Sequence, residues 1–194
     1  MQNILMLGAS GSLAQVIIPT LLAYTDSRLT LFVRNPKAVA QFASHERVQV
    51  VQGDVLNQAQ LDTTMRGQNV VYAGLAGSLE PMAENIVQAM NANQVKRLIF
   101  VSSMGIYGET GEDHGAVLAP YRRSADIVEQ SDLDFTVLRP GWFTNGSEVD
   151  YQLTYKGAPF KGHQVSRRSI ADFVLQLVQN PQQDLRQSIG IAKI

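Results

Sequence analysis

Six short apolar runs recur along the chain: NILML at 3–7, LTLFV at 29–33, VQVV at 48–51, NVVYA at 69–73, RLIFV at 97–101 and FTVL at 135–138. Each has strand length and is apolar on both faces instead of alternating, as a strand covered from both sides must be. Helix-length stretches lie between them, notably Leu13–Tyr24, Pro81–Asn91 and Tyr121–Gln130, with Pro81 suited to a first helical turn. Parallel strands need crossover connections, and alternating strands and helices supply them. The expected fold class is therefore α/β, a doubly wound parallel sheet with helices on both faces.

Beyond Pro140 the pattern changes. Glycine, proline and aromatic residues crowd the next stretch, with strand-like YQLTY ahead of KGAPFKG, which predicts an irregular cap containing a hairpin over 141–168. Helical periodicity returns over Ser169–Gln179, where Ile170, Phe173, Val174, Leu177 and Val178 share one face, and SIGIAKI supplies a last strand. With 194 residues and 45% hydrophobic content, the chain has material for one core. The expected organisation is a single domain over 1–194, with the cap on its substrate side.

Composition excludes several functions. The 16 basic and 17 acidic side chains nearly cancel and form no basic run, so no footprint for nucleic acid or a membrane surface is present. Cysteine is absent, and His45, His114 and His163 are scattered, so neither disulfides nor a metal site is expected. The first apolar segment stops at Gly8, well short of a signal segment or membrane span, and a cytoplasmic protein is expected.

The first strand runs directly into GASGSLA at 8–14. Gly8 allows the tight turn, Gly11 leaves room for a pyrophosphate, and Ala14 sits where the helix packs close to the strand, a role that tolerates a methyl group. Gly8, Ser10, Gly11, Ser12 and Leu13 are the expected cofactor contacts: the amides and positive end of the helix face the phosphates, with the serine hydroxyls as added donors. A turn that merely joins strand to helix would use the same small residues, but the place in the first βα unit favours phosphate binding. The second strand ends in Arg34, where an NAD-binding protein would place an acid on the ribose hydroxyls. A guanidinium there can grip a 2′-phosphate and stack on adenine, so NADP(H) is expected over NAD(H).

Together with GDV at 53–55, AGLAG at 73–77, VSSMGIYG at 101–108, LRPGWF at 138–143 and VSRRSIADFV at 165–174, these pieces resemble the atypical short-chain dehydrogenase/reductases. The resemblance is to the compact NAD(P)H-binding proteins of the NmrA-like and flavin-reductase-like branch, and it covers nearly the whole chain. It implies that Asp54 and Val55 border the adenine, although an aspartate capping the next helix would look the same. It also implies that Ala73, Gly74 and Leu75 run beside the cofactor riboses, and that Pro140, Gly141, Trp142 and Phe143 border the nicotinamide.

Epimerase-like members of that family use a serine and a tyrosine as the acid/base pair, and a lysine that lowers the tyrosine pKa. The resemblance maps these onto Ser103 and Tyr121, but the lysine position is Ala125. Arg122 and Arg123 lie one and two residues past the tyrosine and off the helical face that the lysine would share with it. A tyrosine without that help keeps a pKa near ~10 and is a poor base, though it still donates a hydrogen bond. The expected chemistry is hydride passage from NADPH to a planar acceptor such as a flavin or quinone, with Ser103, Tyr121 or His114 as modest proton donors. Tyr107, Trp142, Phe143, Tyr151, Tyr155 and Phe160 are candidate stacking surfaces. The alternatives are a non-catalytic, NmrA-like redox sensor acting through a protein partner or a second copy, and, more weakly, an epimerase or dehydratase with an unusual base.

Overall fold

The computed structural model describes residues 1–112 and 115–194. In chain order the elements are β1 (Asn3–Leu7), α1 (Ala14–Tyr24), β2 (Arg28–Val33), a short 3-10 segment (Pro36–Phe42), β3 (Val48–Gln52), α2 (Gln58–Met65), β4 (Val70–Ala73) and α3 (Leu79–Ala92). There follow β5 (Arg97–Val101), α4 (Gly115–Gln130), β6 (Asp134–Pro140), β7 (Trp142–Thr144), β8 (Gln152–Tyr155), β9 (Gln164–Ser166), α5 (Arg167–Gln179) and β10 (Gln187–Ala192). Eight strands make one sheet in the order β3-β2-β1-β4-β5-β6-β10-β8, parallel throughout except where β8 meets β10. The fold is thus the expected Rossmann-like α/β sheet.

Period-2 geometry explains why the central strands are apolar on both faces. In β1, Ile4 and Met6 point into a core completed by Ile17, Ile18 and Leu21 of α1 and by Ile170, Phe173 and Leu177 of α5. Leu5 and Leu7 point the other way, toward Leu61 of α2, Ile86 and Met90 of α3 and Val128 of α4. Strand order reverses between β1 and β4, and at such a switch point the loops beyond the strand carboxyl ends diverge and leave a crevice.

The helices keep their sequence positions with shifted starts. α3 begins at Leu79, so Pro81 is its third residue, and α4 begins at Gly115 with Pro120 inside it. α2, the helix expected after Asp54, has a thin apolar pattern: only Leu61 and Met65 are buried, and Asn57, not Asp54, caps it by accepting from the Gln60 amide at 3.1 Å. The expected hairpin is absent. β8, from YQLTY, joins the main sheet as an antiparallel edge, while β7 pairs in parallel with β9. The turn residues between 155 and 164 carry the chain back past β10 instead of pairing its flanks. Among the described residues no helix is long and apolar enough to cross a membrane, and no cluster of potential metal ligands occurs.

One buried charge organises the region beyond β5. Arg139 of β6 is fully buried; it pairs with Glu109 and donates to the Ser188 hydroxyl at 3.1 Å and the Thr154 carbonyl at 3.0 Å. Glu109 in turn accepts from the amides of Gly105 (3.1 Å) and Tyr107 (2.8 Å), so the loop after β5 is clamped to β6, β8 and β10. The Tyr107 ring lies under Arg122, Arg139 and Lys156, and its hydroxyl bonds Glu129 and the Ser188 hydroxyl. Burial, then the carboxylate of Glu129, pushes the Tyr107 phenol well above its usual range, so it holds its proton.

Candidate functional site

At the carboxyl ends of the strands lies a cleft of about 420 Å³. The loop from GASGSLA forms one wall. Gly8 adopts φ +78°, and a Cβ there would collide with the carbonyl oxygen of Gly74, so both conformation and the approach of β1 to the β4 exit require glycine. The Gly11 amide donates to the Gly8 carbonyl at 2.9 Å and closes the turn. A Cβ on Gly11 would meet only the Gly8 oxygen at 3.2 Å and the Gly74 oxygen at 3.9 Å, so a larger side chain there obstructs the cleft more than the fold. α1 starts with no acidic residue in its first turn and no side-chain cap; the Gln15 amide donates to the Gly11 carbonyl at 3.0 Å, and the positive end of the helix meets no negative side chain of its own. Ser10, Gly11 and Ser12 are exposed, whereas Leu13 and Ala14 are buried, Ala14 in the packing role expected of it.

Arg34, just past β2, lines the same cleft with its side chain exposed, and among the described residues it has no carboxylate partner. Asp54 and Val55 line it too. The Asp54 carboxylate accepts from the Leu56 amide at 2.9 Å through one oxygen, and because Asn57 caps α2, Asp54 closes a turn and does not cap the helix. Gly74 and Leu75 line the cleft. Ala73 does not: its side chain is buried in the core under α3 and α4.

The remaining expected residues divide between two cavities. Tyr121 lines the main cleft together with Ser102, whereas Ser103 lines a second cavity of about 170 Å³ with Met104, Val117, Leu118, Pro140, Gly141 and Trp142. Ser103 donates to the Met104 carbonyl at 3.1 Å, and the Ser102 hydroxyl approaches only the backbone carbonyl of Tyr121, at 3.4 Å. Among the described residues no serine hydroxyl bonds the Tyr121 hydroxyl. Ala125 is fully buried in the core, Arg122 is engaged by Asp126 at 2.9 Å and Arg123 by Glu80 at 3.2 Å, so neither arginine substitutes for the lysine. His114 lies outside the described residues.

Of the six candidate stacking surfaces, two line the cavities described: Trp142 the second and Phe143 the main cleft. Tyr107 is spent on the Arg139 network. Tyr151 bonds Asp172 at 2.8 Å and packs on Phe173, Tyr155 bonds Asp184 at 2.9 Å, and Phe160 covers Gly190 of β10. Sequence reasoning missed Phe32, Gly53, Tyr72, Ala76, Met82 and Val101 as lining residues. Most belong to strand ends or helix faces that read as core. Tyr72 carried a signal in principle, a phenol in an otherwise aliphatic central strand. Its hydroxyl is buried with no hydrogen-bond partner beneath the cleft, and burial pushes its pKa far up.

A glycine cradle whose open side faces the cleft, a helix start without an acid and an unpaired arginine fit a phosphate-bearing dinucleotide. Comparison with known proteins agrees. A family profile described as NAD(P)H-binding matches residues 8–181. A Rossmann-fold NAD(P)-binding family protein from Shigella flexneri is 40% identical, with a TM-score of 0.89 over 100% of this chain and 94% of that one. A short-chain dehydrogenase/reductase from Veillonella parvula, solved in complex with NADP, is 32% identical, with a TM-score of 0.90 over 99% of this chain and 94% of that one. Quinone oxidoreductase 2 of Escherichia coli is 25% identical over 71% of this chain and 48% of its own length. The chain spans about half the length of the curated relatives it matches. With profile, fold and cleft in agreement, the chain belongs to the NAD(P)H-binding family of Rossmann-fold, short-chain-dehydrogenase-like proteins.

Proposed function

We propose that the chain is an NADPH-dependent reductase that passes hydride to a small planar acceptor, a quinone in preference to a flavin. The observation that carries the cofactor choice is Arg34: an exposed, unpaired guanidinium at the end of β2, in the place where NAD-binding sheets carry an acid. The Veillonella relative bound to NADP supports this reading.

When bound, NADPH supplies a hydride, two electrons with one proton. A quinone that accepts it needs one further proton, which water or a hydroxyl can give, so the missing lysine does not stop the reaction. The chain's own part is to bind and align. The loop of 8–14 and Arg34 hold the dinucleotide, Asp54 accepts from the adenine amino group, and Tyr121 donates a hydrogen bond from the cleft wall. The second cavity receives the acceptor. It is apolar, carries no charged side chain among its described lining residues, and offers Trp142 as a stacking face and Ser103 as a proton donor. At about 170 Å³ it is smaller than the roughly 300–1,000 Å³ usual for drug-sized ligands, and so suits one or two fused rings better than three. The relative named a quinone oxidoreductase supports the same choice.

The test is titration with NADPH and NADH, followed by steady-state oxidation of NADPH with a panel of quinones and free flavins. Arg34→Ala should weaken NADPH by about 10-fold or more and NADH by little. Equal losses would remove the 2′-phosphate role. The buried Ala125 and the engaged Arg122 and Arg123 also favour a second reading, a dinucleotide redox sensor acting through a protein partner or a second copy. Tight binding with no turnover across the whole panel would establish that reading against the reductase.

A further inference from the structure

The stretch VSRRSIADFV has no part in the site described so far, yet its first arginine reaches the phosphate loop. Arg167 opens α5, 155 residues from Ser12, and its Nε donates to the Ser12 hydroxyl at 3.3 Å. Its Nη1 donates to the Asn145 side-chain oxygen at 2.8 Å and the Thr144 carbonyl at 3.3 Å, and the guanidinium lies 5.1 Å from the centre of the Phe143 ring, itself part of the cleft wall. Three acceptors and an aromatic face fix the side chain across the mouth of the loop. Among the described residues it has no carboxylate partner and its Nη2 has no protein acceptor. Arg122, Arg123 and Arg139, by contrast, are all paired with acids.

We propose that Arg167 is a second cationic clamp on the dinucleotide, gripping the diphosphate from the cap side while Arg34 holds the 2′-phosphate at the far end. The physical case is one of placement. A planar fork held beside Ser12, with a donor edge unspent, meets an anion seated on the loop amides at little further ordering cost. A lone arginine on a solvated surface would not need an anchor on both the cap and the loop. The proposal rests on the chain's binding a dinucleotide and is independent of the acceptor.

Three ligands separate the two arginines: NADPH, NADH, and adenosine 2′-monophosphate, which has the 2′-phosphate and no diphosphate. Dissociation constants by calorimetry should rise for Arg167→Ala by roughly 10-fold for NADPH and by the same factor for NADH, with adenosine 2′-monophosphate unchanged within about twofold. Arg34→Ala should show the complementary pattern, losing NADPH and adenosine 2′-monophosphate but not NADH. Arg167→Lys, which keeps the charge without the fork, should fall between wild type and alanine. Asn145→Ala removes the cap-side anchor while leaving the guanidinium, and should cost less than Arg167→Ala if the charge acts on the ligand. An Arg167→Ala loss confined to NADPH, one shared equally by all three ligands, or no loss at all would each overturn the clamp. Should Arg167→Ala fail to fold, Arg167→Gln and Arg167→Lys carry the same comparison. Wild-type protein that binds the dinucleotides but reduces no acceptor would defeat the reductase reading and leave this one standing.

Discussion

The two halves of the site are held in different ways. On the dinucleotide side, β1, the loop of 8–14 and Arg34 follow one another within the first 34 residues, and each constraint is local: a positive φ at Gly8, a turn closed by Gly11, a helix start without an acid. On the side of the second cavity, the loop after β5 stays in place through Arg139, which joins Glu109, Thr154 and Ser188 across the sheet. A glycine turn can therefore be read from its own residues, whereas a cavity beside a loop hung on a buried ion pair depends on partners far apart in sequence.

The largest expected effect breaks the second half. Arg139→Met leaves Glu109 buried without its cation and should cost about 3–5 kcal/mol in urea unfolding. If the halves are separable, the folded variant keeps NADPH affinity but loses acceptor turnover; simultaneous loss of both would show one cooperative unit. Next come the two loop glycines. Gly8→Val forces a side chain into a left-handed conformation against the Gly74 carbonyl and should lose about 1–3 kcal/mol of stability together with dinucleotide binding. Gly11→Val should lose binding with stability nearly unchanged, and a comparable drop in its melting midpoint would place its role in the fold. The smallest effects concern the acceptor. Trp142→Ala removes a stacking face worth about 0.5–1.5 kcal/mol and should raise the quinone KM by roughly 3–10-fold. Tyr121→Phe should leave hydride transfer to quinones within about threefold, because the hydroxyl donates one neutral hydrogen bond and does not act as base. A total loss would revive the epimerase-like mechanism.

The strands were legible because burial on both faces writes itself as uninterrupted apolar runs, and one end of the cleft because glycine, serine and arginine mark its lining in a fixed order. The rest failed for identifiable reasons. Arg139 sits in FTVLRP, and a sequence cannot show that a cation at a strand's end turns inward unless Glu109, 30 residues earlier, is known to meet it. Asp54 looked equally like an adenine contact and a helix cap until Asn57 proved to be the cap. Tyr151 and Tyr155 looked like ligand surfaces, because an aromatic ring reads the same whether its hydroxyl faces a cavity or an aspartate. Ser103 and its neighbour Ser102 differ by one position, which on an extended exit from β5 sends them to different cavities.

Ala125 bears on whether the missing lysine can be supplied by mutation. Because its methyl group is enclosed in the core, an Ala125→Lys substitution would push an ammonium into closely packed hydrocarbon. A lysine-assisted tyrosine is therefore not one substitution away: neighbouring side chains would also have to shrink, or α4 would have to turn.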